Sequence, residues 1–110
     1  MRLAGRIAGR VTHPVTVVDL SVTGCLVQCG VLLVNGAILD MYIDIDGSAA
    51  PWRAKVKVAE SYMDGSAAQA APRYLAGLEF LALTPQAADR LRRLLDEERR
   101  RRQSADAPAQ

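Results

Sequence analysis

The chain has little of what most catalytic and metal centres are made from. Its 110 residues include one histidine and two cysteines, too few of the usual ligands for a structural zinc site, which takes four. Cys25 and Cys29 stand four positions apart, ~13 Å along an extended strand, whereas bridged Cα atoms lie within ~7 Å of each other. A strand there rules out a disulfide, and both read as small buried hydrophobes. Aromatic residues make up only 5%, thin for a surface that stacks nucleic-acid bases, so the single Trp and single Phe read as core fillers. The longest apolar run, around Val31 to Val34, stops at Asn35-Gly36, far short of the ~20 residues that cross a bilayer. No membrane insertion is expected. The arginine-bearing start lacks the apolar core and cleavage site of a secretory signal, so a cytoplasmic address is expected. A phosphate loop, a Cys/His pairing and a carboxylate pair outside an alternating strand are all missing from the sequence. A non-enzymatic protein with no catalytic residue, metal or cofactor is therefore expected.

What is present suits a globular chain: half the residues are apolar, 24% are charged, and the net charge is only +2. The basic residues are uneven. Arg2, Arg6 and Arg10 crowd the start, and Arg99 to Arg102 form a run near the end. Two clusters at opposite chain ends, with few aromatics between, argue against a nucleic-acid partner.

Short strands follow one another. Pro14 marks the entry to a strand at Val15 to Ser21, rich in β-branched residues, and Gly24 to Gln28 follows a tight bend. Asn35-Gly36 signals a turn, although the loop before it is apolar. From Ala37 to Asp46 the period is two: Leu39, Met41, Ile43 and Ile45 on one face, Asp40, Tyr42, Asp44 and Asp46 on the other. After a small-residue connection at Gly47 to Pro51, Trp52, Ala54, Val56 and Val58 alternate with Arg53, Lys55 and Lys57. Asp64 to Pro72 reads as a flexible loop. Tyr74, Ala76, Leu78 and Phe80 supply one face of a last strand. At Thr84-Pro85 the period changes: Thr is a good N-cap, Pro suits the first helical position, and Ala87, Leu91, Leu94 and Leu95 form one apolar stripe. Arg93 with Glu97, Glu97 with Arg101, and Glu98 with Arg102 are expected i,i+4 pairs.

This order predicts an all-β fold with one C-terminal helix, a small antiparallel β-barrel whose closure removes exposed strand edges. One domain over residues 1–102 and a flexible tail over 103–110 are expected.

Asp19-Leu20-Ser21-Val22-Thr23-Gly24 resembles the D/N-x-S-x-x-G signature of PilZ domains. Val15 to Val18 resemble the strand leading into that signature, and Gly36 with the alternating strand after it resembles the next part of the pattern. Trp52 to Ala59 and then Gly77-Leu78-Glu79-Phe80, similar to the family's G-x-x-F, continue it, and a leucine-bearing helix closes it. The resemblance covers residues 15–102. It implies a β-barrel and, as in many members, binding of the bacterial second messenger cyclic di-GMP.

Asp19 would accept hydrogen bonds from a guanine edge, Ser21 offers a hydroxyl to a base, a phosphate or the turn itself, and Gly24 lets the chain bend and approach a ligand. The family's R-x-x-x-R motif is matched by Arg6 to Arg10, and also by Arg2 to Arg6. Guanidinium forks pair with phosphates and stack on purines. The expected ligand residues are thus Arg6, Arg10, Asp19, Ser21 and Gly24.

The family's arginines usually precede the first barrel strand, whereas only eight residues separate Arg10 from Asp19 here. If residues 3–11 form a strand turning at Thr12-His13-Pro14, Arg6 lies near Asp19 and can pair with it. Two readings follow: a cyclic di-GMP-binding signalling module that passes its state to an unidentified protein partner, or a degenerate PilZ domain acting as a nucleotide-independent protein adaptor.

Overall fold

The structure is a computed structural model describing residues 2–45, 50–63 and 73–106, the side chains of 103–106 apart. Six strands are found there: β1 (Leu3–Ala8), β2 (Thr12–Leu20), β3 (Gly24–Cys29), β4 (Ile38–Ile43), β5 (Trp52–Met63) and β6 (Tyr74–Leu81). One helix, α1 (Pro85–Asp106), follows. All strand pairings are antiparallel, and the sheet closes in the order β1-β2-β3-β6-β5-β4. The barrel with its C-terminal helix is the expected architecture.

Period-two patterning builds the interior. Val15, Val17, Val27, Met41, Ile43, Trp52, Val56, Val58, Ala76 and Leu78 are all buried, each with outward neighbours in its strand. Each fully enclosed Val, Ile or Met side chain contributes about 1.5–3 kcal/mol of transfer free energy. Trp52 and Phe80 meet edge to face, ring centroids 5.1 Å apart, as core fillers should. Cys25 and Cys29 are free and buried, both turned inward from β3, as expected of small hydrophobes. On the outer face of β4, Asp40 takes a 3.1 Å ion pair from Lys55, its cross-strand partner on β5. Asp46, expected on the outer face of the strand, residues 47–49 of the expected Gly47 to Pro51 connection, and the expected loop from Asp64 to Pro72 lie outside the described residues.

Two ends of the barrel follow from the registers. Leu20 to Gly24, Ile43, Trp52 and Leu81 share one end, which we term the helix end. The β1–β2 turn at 9–11 and the loop at 30–37 share the opposite end, the loop end. Helix α1 starts from the first and seals it. The Thr84 hydroxyl accepts the Ala87 N–H at 3.1 Å, the expected N-cap bond. Leu91 is fully buried, with Ala87, Leu94 and Leu95 packed beside it. Trp52 Nε1 donates to the Ala87 carbonyl at 2.8 Å, tying the helix to the start of β5.

Three details differ from expectation. The helix continues to Asp106 instead of giving way to tail at 103, because no breaker occurs before Pro108; residues 107–110 lie outside the described part. Of the expected helix pairs, Glu98 with Arg102 forms at 3.6 Å. Arg93 instead turns back one helical turn to Asp89 at 2.7 Å, and Arg101 takes Glu98 at 3.3 Å, since each arginine has a second carboxylate three or four positions away. Finally, β1 ends at Ala8 and turns over residues 9–11, so that Thr12, His13 and Pro14 already belong to β2.

Candidate functional site

The Asp19–Gly24 turn joins β2 to β3 at the helix end. It is held by its own side chains. Asp19 Oδ1 accepts the Leu20 N–H at 2.9 Å. Ser21 Oγ accepts the N–H groups of Thr23 and Gly24 at 3.2 and 3.3 Å, and it lies 3.1 Å from the Thr23 hydroxyl and 3.2 Å from the Gly24 carbonyl. The Ser21 N–H closes the turn on the Gly24 carbonyl at 2.9 Å. Short polar side chains that bond to nearby backbone favour such turns over regular ladders.

Gly24 also meets a packing demand that the expectation did not include. Its backbone is not in the left-handed region, and a Cβ there would sit 2.2 Å from the Leu78 carbonyl oxygen. The glycine is required by the close approach of β3 to β6, not by a sharp bend. Among the described residues, the glycine that turns the chain with a positive φ, 86°, is Gly36.

Asp19, Ser21 and Gly24 line one concavity of about 480 Å³ on the outer wall, shared with Leu26, Gly77 and Glu79. Opposite it, β5 carries an irregularity between Val58 and Glu60, beside Gly77. Beneath lies Cys25, whose thiol is pushed up to about 12 from an ordinary 9.0 by burial and, secondarily, by the Asp19 carboxylate. Burial likewise raises Cys29. Neither thiol is a nucleophile in the folded protein near neutral pH.

The structure does not bring the arginines to this concavity. Arg6 pairs with Pro14 of β2, five residues before Asp19 and so ~16 Å away along the strand. The expected Arg6–Asp19 pair does not form. Arg6 instead lies over the Tyr42 ring on β4, 4.5 Å from its centroid. Arg10 is farther still, in the β1–β2 turn at the loop end, where it lines a separate pocket with His13. From Thr12 to Asp19 alone is ~23 Å of strand. The cause is the position of the turn: strand register follows from it, and moving the turn to 9–11 moves every partner.

The same register, carried one step past Leu3 opposite Val17, sets Arg2 opposite Val18, next to Asp19. Arg2, Arg6 and Asp19 are all exposed. Of Arg2, Arg6 and Arg10, Arg2 is thus the nearest to the signature turn along the sheet. The lining of the concavity contains the carboxylates of Asp19 and Glu79 and, among the described residues, no Lys or Arg. Sequence reasoning missed Glu79 and Gly77 as lining residues, though both stand in the G-x-x-F segment.

Among the described residues no group of three or more metal-ligating side chains occurs, and no helix is long and apolar enough to cross a membrane. The family model of the PilZ domain matches residues 2–97. No curated protein matches the sequence. Among solved structures, the PilZ domain with c-di-GMP of YcgR from Escherichia coli is similar, with a TM-score of 0.73 at 17% identity, over 97% of this chain and 89% of that one. At that identity the likeness establishes the fold. With the family model spanning nearly the whole barrel and helix, the chain belongs to the PilZ family.

Proposed function

We propose that this PilZ module works as a nucleotide-independent protein adaptor and forms no complete cyclic di-GMP site from the residues described. One observation carries this reading: the concavity built by the family signature presents two carboxylates and, among the described residues, no cation, while Arg6 and Arg10 stand elsewhere on the barrel. A ligand with two phosphates entering that wall meets like charge, which raises the cost of binding. Asp19 Oδ1 and Ser21 Oγ meanwhile brace their own turn. Calorimetric titration of the protein with cyclic di-GMP tests the reading. No heat at tens of micromolar protein is expected, and saturable binding overturns it.

A second reading, a cyclic di-GMP receptor, draws on the register that sets Arg2 beside Asp19 and on the ligand of the similar YcgR domain. In it Asp19 takes a guanine edge and Arg2 a phosphate, with Arg6 and Arg10 uninvolved. Binding that is lost in both Arg2→Ala and Asp19→Ala, and kept in Arg10→Ala, selects this reading over the first.

A further inference from the structure

The loop end of the barrel carries an apolar patch that the fold does not use. Val11, Leu32 and Val34 are 63, 58 and 74% exposed, and all three line one pocket of about 280 Å³ floored by the buried Ile7. Isolated exposed hydrophobes are ordinary on a protein surface, but several around one concavity mark a contact site. Loops at barrel ends are usually polar.

This patch is held rigid from behind. In the run Val31-Leu32-Leu33-Val34 the odd positions turn in and the even ones out. The Leu33 N–H donates to Ser61 Oγ at 3.0 Å, and Leu33 packs on the core. Cys29 Sγ donates to the Val31 carbonyl at 3.1 Å. Beyond the loop, the Gly36 N–H reaches the Val58 carbonyl at 2.7 Å and the Ala37 N–H the Val34 carbonyl at 3.1 Å. Leu32 and Val34 are therefore presented in a fixed orientation, which lowers the ordering cost of binding.

The charge at the rim identifies the occupant. Arg10 and His13 line the pocket and, among the described residues, no carboxylate does. Arg10 has no ion-pair partner among the described residues, and Asp40, on β4 opposite Ala8, is held by Lys55. A second copy docked through the same patch about a two-fold axis would offer that patch another Arg10 and His13 and, from the described lining, no carboxylate to pair with the guanidinium. An acidic partner has the opposite balance, since a carboxylate pairs with the guanidinium fork while apolar side chains fill the pocket.

Resting on the adaptor reading above, we infer that the loop end is a docking surface for a peptide segment of a partner protein carrying apolar side chains and a nearby carboxylate. The test is selection of a random dodecapeptide display library on the full chain, followed by fluorescence polarisation with a labelled synthetic copy of the winning peptide. The expected peptides combine two apolar positions with an Asp or Glu. Arg10→Glu and Leu32→Glu should each weaken binding about tenfold or more, and replacing the peptide's acidic residue by Lys should recover affinity toward Arg10→Glu. That recovery separates a lost contact from a lost fold. Amide shifts of labelled protein should move at Val11, Leu32 and Val34.

Failure to enrich any peptide, or enrichment of peptides indifferent to Arg10→Glu and Leu32→Glu, overturns the inference. So does a concentration-dependent dimer broken by Val34→Glu, which would seat a second copy there. A cyclic di-GMP titration run alongside keeps the two conclusions separable: nucleotide binding sinks the adaptor reading, whereas absence of the peptide signature sinks the docking surface alone.

Discussion

The two ends of this barrel are built to opposite plans. At the helix end several groups are tied to one another: Ser21 and Asp19 brace a turn, Trp52 is bonded to the helix, and Leu91 seals the mouth. At the loop end a pinned backbone displays Leu32, Val34 and Val11 to water beside an arginine that has no ion-pair partner among the described residues. The side-chain bonds that brace turn and helix gather where the family signature lies, and exposed apolar surface gathers opposite. A motif can therefore persist because it closes the fold, while partner recognition occupies a surface the motif does not mark.

The contrast predicts that substitutions at the helix end are costly and those at the loop end are not. The largest effect is expected for Trp52→Ala, which empties the junction between barrel and helix and removes the bond to Ala87; about 3–5 kcal/mol should be lost in urea denaturation. Gly24→Ala should follow at about 1–3 kcal/mol, since the added methyl runs into the Leu78 carbonyl and must push β3 away from β6. Next comes a pH effect at Cys25. Its thiol stays neutral in the fold up to about 12, but ionises from 9.0 upward once unfolded. The unfolded chain then binds fewer protons, so the contribution is intact below pH 9 and falls through the window from 9 to 12, by up to about 1.4 kcal/mol per pH unit. Denaturation across that window should show a shallower decline for Cys25→Ala than for the parent. Thr84→Ala, losing the helix cap, should cost about 1 kcal/mol and register as a lower melting temperature. Smallest of all, Val34→Ser at the loop end should change stability by less than about 0.5 kcal/mol. A loss there as large as at Gly24 would mean the loop end is structural after all.

Much of the barrel was legible because burial imposes a period of two on β4 and β5. Leu39 to Ile45 and Trp52 to Val58 announce their inward faces, and Thr84-Pro85 announces the helix. Residues 3–11 announce little, since Gly5 and Gly9 interrupt the pattern and nothing local says which of two adjacent triplets will turn. That ambiguity cost the arginine half of the site: the register, hence the company Arg6 keeps, depends on the turn. Asp19, Ser21 and Gly24 were found through the family pattern and do share one wall. Their bracing role and the clash behind Gly24 depend on β6, which is distant in sequence. The apolar stretch before Asn35-Gly36 stood out at once as an unusual loop, but only the fold shows Val11 and Arg10 beside it.

The measurement that reaches furthest is a calorimetric titration of the intact chain with cyclic di-GMP, repeated with Asp19→Ala and Arg2→Ala. Flat thermograms for all three proteins, each still folded, are the predicted result. A saturable isotherm for the parent that vanishes in both variants would contradict the account and return the signature turn to the role of nucleotide receptor.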